Sequence, residues 1–177
     1  HHMSFELGDP TEDDLQFYTE AFNREVEGVD AEIWIHTCWG NPAQQRSNFW
    51  APPSYEKSLS YLLDLDADVL TLECASSDGR DLPLLAQYET SKKIAIGVVS
   101  HTDTNVEPPG VVANRIRKAL EYIPPERLIL STDCGFGREG LSRRIAFYKC
   151  VSIVLGANII RRELGFSEVP IRAADPQ

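Results

Sequence analysis

The chain has 177 residues, 42% of them hydrophobic and 25% charged, a balance that suits one globular domain and excludes a disordered or fibrous chain. Acidic residues outnumber basic ones 27 to 17, and a net charge of −10 repels a phosphate backbone, so nucleic acid is excluded as a partner. No run approaches the ~20 consecutive apolar residues of a membrane span, and no charged-then-apolar leader follows Met3, so no membrane is expected and the cytoplasm is the expected compartment.

His1, His2 and Met3 read as the end of a purification tag and an initiator methionine, and residues 4–177 read as a single domain. The first helix is announced by Thr11 with Glu12, Asp13 and Asp14 behind it, a cap followed by an acidic first turn, and it should stop near Gly28. A buried strand follows over Ala31 to His36. The second helix begins after Pro52-Pro53 at Ser54 and buries Leu59, Leu62 and Leu63. A second strand covers Ala67 to Glu73, and a short helix Leu82 to Glu89. The third strand runs from Lys92 to Val99. The fourth helix spans about Val111 to Ile123, with Val112, Ile116, Leu120 and Ile123 on one stripe, and Pro124-Pro125 ends it. The fourth strand covers Arg127 to Thr132, and a last helix, roughly Leu141 to Leu164, follows.

Strands alternating with helices at this spacing indicate βαβ units and a parallel sheet. A closed (β/α)8 barrel needs about 250 residues, and this chain supplies about four of the eight units. Left alone, such a sheet has two open edges, which invite pairing with a second copy or a separate partner chain.

In parallel α/β folds reactive groups collect at the carboxyl ends of the strands. Here those ends read Ile35-His36-Thr37-Cys38, Leu72-Glu73-Cys74, Val99-Ser100-His101-Thr102-Asp103 and Thr132-Asp133-Cys134-Gly135-Phe136-Gly137. His36 and Cys38 stand two apart on an extended segment, so both side chains can face the same mouth, and Glu73 and Cys134 arrive from other strands. Two thiolates with an imidazole suit zinc far better than magnesium or calcium, and four donors permit tetrahedral closure. A lone cysteine at a strand end is more often a small buried apolar residue. Spacing by itself leaves both readings open.

The segments His36-Thr37-Cys38-Trp39-Gly40-Asn41, Leu72-Glu73 with Ser76-Ser77-Asp78, and Pro125 to Gly137 resemble the catalytic domain of cobalamin-independent methionine synthase, over nearly the whole chain. The resemblance implies a TIM (β/α)8-barrel fold of which this chain is the second half. It implies zinc held by His36, Cys38, Glu73 and Cys134, homocysteine as the thiol, and a methyltetrahydrofolate as the methyl donor. The Pro-Pro-Glu-Arg run and Arg161-Arg162-Glu163-Leu164 also resemble a branch that includes epoxyalkane:coenzyme M transferase, in which the thiol is coenzyme M and the electrophile an epoxide. Both are alkyl transfers to a metal-bound thiolate. A non-catalytic, zinc-stabilised half-barrel is the alternative outside enzymes. A barrel resembling uroporphyrinogen decarboxylase ranks last, because it would leave the two cysteines unexplained.

The sequence departs from the family pattern where a proton-delivering histidine is expected: the ungapped register puts Thr102 there and His101 one residue early, which makes His101 the acid–base candidate. Asp9-Pro10 is the one candidate remnant of the family's acidic substrate-binding pair, so the amino-acid clamp and the folate half-site would come from a partner or not at all. Asp133 is a candidate for orienting a ligand from behind, Trp39 for walling the pocket, and Cys74 for a buried core thiol, since it should point away from Glu73. Cys150, among Ile145, Ala146, Val151 and Val154, is expected to pack in the core. Gly135 and Gly137 are expected to set the sharp path of the loop after Cys134.

Overall fold

The structure is a computed structural model that describes residues 11–38, 54–137 and 141–171. The tag remnant, Asp9-Pro10, Trp39-Gly40-Asn41 and Pro52-Pro53 lie outside the described residues. Helix α1 (Glu12–Val26) opens on a capping box. The Thr11 hydroxyl accepts the Asp14 backbone N–H at 3.2 Å, and the Asp14 carboxylate accepts the Thr11 N–H at 2.9 Å, so two otherwise orphaned donors are satisfied reciprocally. Strand β1 (Trp34–His36) is shorter than its apolar run suggested. Helix α2 (Leu59–Leu63) buries Leu59 and leans Leu62 and Leu63 on the core, as expected from their spacing.

Strand β2 (Val69–Leu72) leads to a 3-10 segment at Leu82–Gln87 where a short helix was expected, and then to β3 (Lys93–Val99). Helix α3 (Pro109–Leu120), a 3-10 turn (Pro125–Arg127), β4 (Leu128–Thr132) and helix α4 (Arg143–Glu163) complete the described fold. The four strands form one parallel sheet in the order β1-β2-β3-β4, with Trp34 opposite Val69, Leu70 opposite Ile94 and Ile94 opposite Leu128. Sequential parallel order with helical crossovers is the architecture of a (β/α) barrel segment.

Burial follows position in that sheet. All of β2 is buried, whereas every residue of β4 is only half-buried and β1 leaves Trp34 50% exposed. The core is built by Leu70, Ile94, Ile96 and Val98 from the central strands against Val112, Ala113, Ile116 and Ala119 of α3. Among the described residues each outer strand therefore keeps one unpaired edge, and the flanking helices keep apolar faces in solvent: Phe17 and Tyr18 on α1, Phe147 and Leu155 on α4.

Helix α4 corrects one expectation. Cys150 is exposed, not packed in the core. The helix instead turns Lys149, Ser152, Gly156 and Ile160 inward, a stripe at helical spacing. A Cβ on Gly156 would sit 2.5 Å from Val112 Cγ1, so the missing side chain is what lets α4 approach α3. Lys149, with no exposed surface, meets Glu107 at 2.7 Å. These two contacts, and not the hydropathy of the helix, choose the face that is buried. No helix among the described residues is long and apolar enough to cross a membrane.

Candidate metal centre

The strand ends converge as the parallel topology requires. The ligand atoms of His36, Cys38 and Cys134 lie within 4.8 Å of one another, and so do those of Cys38, Glu73 and His101. The four residues expected to share one ion thus form two overlapping triads joined at Cys38, with His101 added on the buried side. His36 and Cys38 flank Thr37, whose backbone N–H donates to Thr71 O at 3.1 Å and continues the β1–β2 ladder past the strand end. Pleating then puts both neighbours of Thr37 on one side.

His36 is prepared as a neutral ligand. Its Nδ1 lies 2.8 Å from Thr71 Oγ1, and that hydroxyl gives its own proton to Ile35 O at 3.1 Å. Thr71 therefore accepts from Nδ1–H, which leaves the lone pair on Nε2. Burial lowers the His36 pKa below the usual imidazole range, and the nearby His101 lowers it further, so the neutral form that a metal needs is favoured.

Glu73 is 3% exposed, and its Oε1 accepts the Ser76 hydroxyl at 2.8 Å. Its backbone N–H donates to the Tyr55 hydroxyl at 2.9 Å, and Tyr55 Oη also lies 3.1 Å from Thr37 Oγ1. Tyr55 so ties the His36–Cys38 segment to the Glu73 segment. Nothing in the sequence singled it out, because its role depends on two loops meeting in space. Desolvation raises the phenol pKa well above its ordinary value, which keeps Tyr55 neutral.

Asp133 occupies a different place from that of a residue touching a ligand. It is 0% exposed, and its carboxylate accepts the backbone N–H groups of Cys74 at 2.9 Å, Ala75 at 2.7 Å and Ser76 at 2.7 Å. It shapes the loop that begins at Glu73. Burial raises the Asp133 pKa above the ordinary carboxylate value, while the three amides pull the other way. Room for this carboxylate comes from Gly97, where a Cβ would stand 1.9 Å from Asp133 Oδ1 and 2.7 Å from its Cα. The β3–β4 register shifts at the same place, between Gly97 and Val99.

Cys74 is buried, as expected; burial pushes its thiol pKa far up, and it belongs to neither of the converging ligand groups among the described residues. Gly135 and Gly137 do not force the loop after Cys134. Neither is among the glycines with positive φ, and a Cβ on either would meet nothing within 4 Å. The loop after β3 is held instead by residues that sequence reading passed over. Glu107 Oε1 accepts the Ser100 N–H at 2.7 Å, Lys149 Nζ donates to Glu107 Oε2 at 2.7 Å and to Asn105 O at 2.6 Å, and the Ser152 hydroxyl donates to Glu107 O. An acidic and a basic residue 42 positions apart give no pairing signal in one sequence.

Residues 15–151 match the model of a family described as the catalytic domain of cobalamin-independent synthase. A methionine synthase of Thermococcus kodakarensis is 37% identical over 163 residues, which is 90% of this chain and 44% of that protein. One of Saccharolobus solfataricus is 36% identical over 152 residues, 86% of this chain and 41% of that protein. The structure of a B12-independent methionine synthase from Shewanella sp. W3-18-1 in complex with selenomethionine superposes with a TM-score of 0.73 at 26% identity, covering 86% of this chain and 45% of that one. The chain therefore spans less than half the length of these relatives.

Proposed function

The chain belongs to the cobalamin-independent methionine synthase family through its catalytic domain, and from that premise we propose that it carries the zinc-binding half of a barrel that transfers a methyl group to a thiol. The observation that carries this reading is the convergence of His36, Cys38 and Cys134 from two different strand ends, with Glu73 sharing Cys38. The donor set fits the metal: two thiols, a neutral imidazole with its lone pair free, and a carboxylate steadied by Ser76. A zinc ion in that set would supply a lowered thiol pKa, so that homocysteine is held as its thiolate near neutral pH. The chain's own residues do the rest of the work. His36, Cys38, Glu73 and Cys134 hold the ion, Thr71 fixes the His36 tautomer, and Tyr55 and Asp133 keep the two ligand loops in place. The Shewanella relative was solved with selenomethionine, the selenium counterpart of the product expected here.

Metal content and zinc K-edge absorption test the reading directly. One zinc per chain is expected, with an additional sulfur neighbour when homocysteine is added. A folded chain that takes up no zinc, or zinc whose coordination ignores the thiol, would overturn it.

The open sheet edges call for a complement, in cis or as a separate chain, and the helix arrangement favours one kind. The chain has α1 ahead of its first strand, a helical crossover between each successive pair, and α4 behind its last strand. At a seam between two copies, α4 of one and α1 of the other would need the strip of outer surface that a (β/α)8 barrel gives to one helix. We therefore propose, as the complement, a four-stranded segment that begins and ends in strands in preference to a second copy. Co-expression with such a segment is expected to give a 1:1 complex in which β4 amides gain hydrogen-exchange protection. A tight homodimer with the same protection would refute this choice of partner.

A further inference from the structure

We infer that His101 is a fifth donor of the metal centre, a ligand on its buried side beside Cys38 and Glu73, and not an acid–base group. The inference rests on the metal-centre reading above and adds a residue to it.

His101 is 2% exposed, and neither of its ring nitrogens has a hydrogen-bond partner among the described residues. A buried polar atom left unpaired is costly, so two on one ring point to a partner that is not a protein group. The ring faces the cluster: its Nδ1 is 4.0 Å from Glu73 Oε1, too far for a hydrogen bond. Two ligands each about 2.0–2.2 Å from a common zinc are roughly 3.3–3.6 Å apart, so this gap has to close by only a few tenths of an ångström. Cys38 is equally well placed, since the ligand atoms of Cys38, Glu73 and His101 fall within 4.8 Å of each other.

The surroundings suit a fixed ligand better than a proton carrier. An acid–base imidazole must be reloaded with its proton, either from solvent or through a partner on its second nitrogen. His101 has neither. The residue before it is pinned through its backbone N–H by Glu107, which is itself held by the fully buried Lys149. A buried ion pair is costly to assemble and serves poorly as generic stabilisation, but it gives a loop one position. Zinc sometimes expands from four to five ligands, and imidazole, thiolate and carboxylate are all donors it accepts.

The test uses the zinc-loaded 177-residue chain and counts imidazoles by their outer-shell scattering in the zinc K-edge spectrum. Two are expected in the wild type and one in His101→Gln, with zinc affinity in His101→Gln, measured by chelator competition, lowered about 100-fold or more, at or beyond the upper end of the effect of losing an outer-sphere partner. One imidazole in the loaded wild type, or two that persist in His101→Gln, would overturn the inference while leaving the metal centre intact. A wild type that binds no zinc would remove the centre and this ligand with it. Because the wild-type count needs no variant, failure of His101→Gln to fold would not block the decision.

Discussion

Cys38→Ser is expected to lose stoichiometric zinc, with an affinity drop of at least about 100-fold, more than removal of an outer-sphere partner costs. Among the described residues, Cys38 is the one whose ligand atom lies within 4.8 Å of both His36 with Cys134 and Glu73 with His101, so its loss disconnects the two sides of the cluster. Serine replaces a soft thiolate with a hydroxyl that remains protonated near neutral pH, and the donor set loses one of the two groups that select zinc. Zinc per chain after exhaustive dialysis reads the result, and methyl transfer in the completed barrel should vanish in parallel. Cys150→Ser is the control: that thiol is exposed on α4 and belongs to neither ligand group, and the variant should keep its metal. If Cys38→Ser kept full zinc, the ion would be held elsewhere and the assignment of the centre would fall.

Asp133→Ala is expected to lower stability by about 4 kcal/mol. The substitution leaves the buried backbone N–H groups of Cys74 and Ala75, and the part-buried one of Ser76, without their acceptor at a position with no exposed surface. Each buried donor without an acceptor costs about 1–3 kcal/mol, and neighbouring losses are not fully additive. Against a total stability of about 5–15 kcal/mol, this is a large part of what holds the domain together. Asp133→Asn should fall between wild type and Ala, because its carbonyl oxygen can serve some of the amides while its NH2 opposes the rest. Denaturant midpoints measure the series. A loss below about 1 kcal/mol for Asp133→Ala would show that solvent or a shifted loop satisfies the amides, and that Asp133 does not organise the Glu73 loop.

The exposed apolar faces of α1 and α4 and the two open strand edges have one common cause. A parallel sheet is stable when both faces and both edges are covered, and barrel closure is the arrangement that abolishes edges altogether. Four strands cannot close. Central β2 is fully buried because it has neighbours on both sides, whereas Trp34 on the outer β1 is half in solvent.

Much of this protein was legible in the linear chain because the signals involved are local. The capping box at Thr11 and Asp14, the apolar runs of four strands, the Val112–Ile116 stripe of α3 and the clustering of ligand-type residues at strand ends follow from hydropathy period and short-range hydrogen bonding, which act between near neighbours. What only the tertiary structure decided involves residues distant in sequence. Cys150 is exposed because α4 is oriented by a Lys149–Glu107 contact and by the gap at Gly156, neither of which hydropathy registers. Asp133 became a brace for the Glu73 loop because Gly97 on the neighbouring strand leaves space for its carboxylate. Tyr55 bridges two ligand loops, and His101 joins Cys38 and Glu73, through distances set by how four strand ends meet. Periodicity determines which residues reach the mouth of a sheet, while the packing of that sheet determines which of them touch.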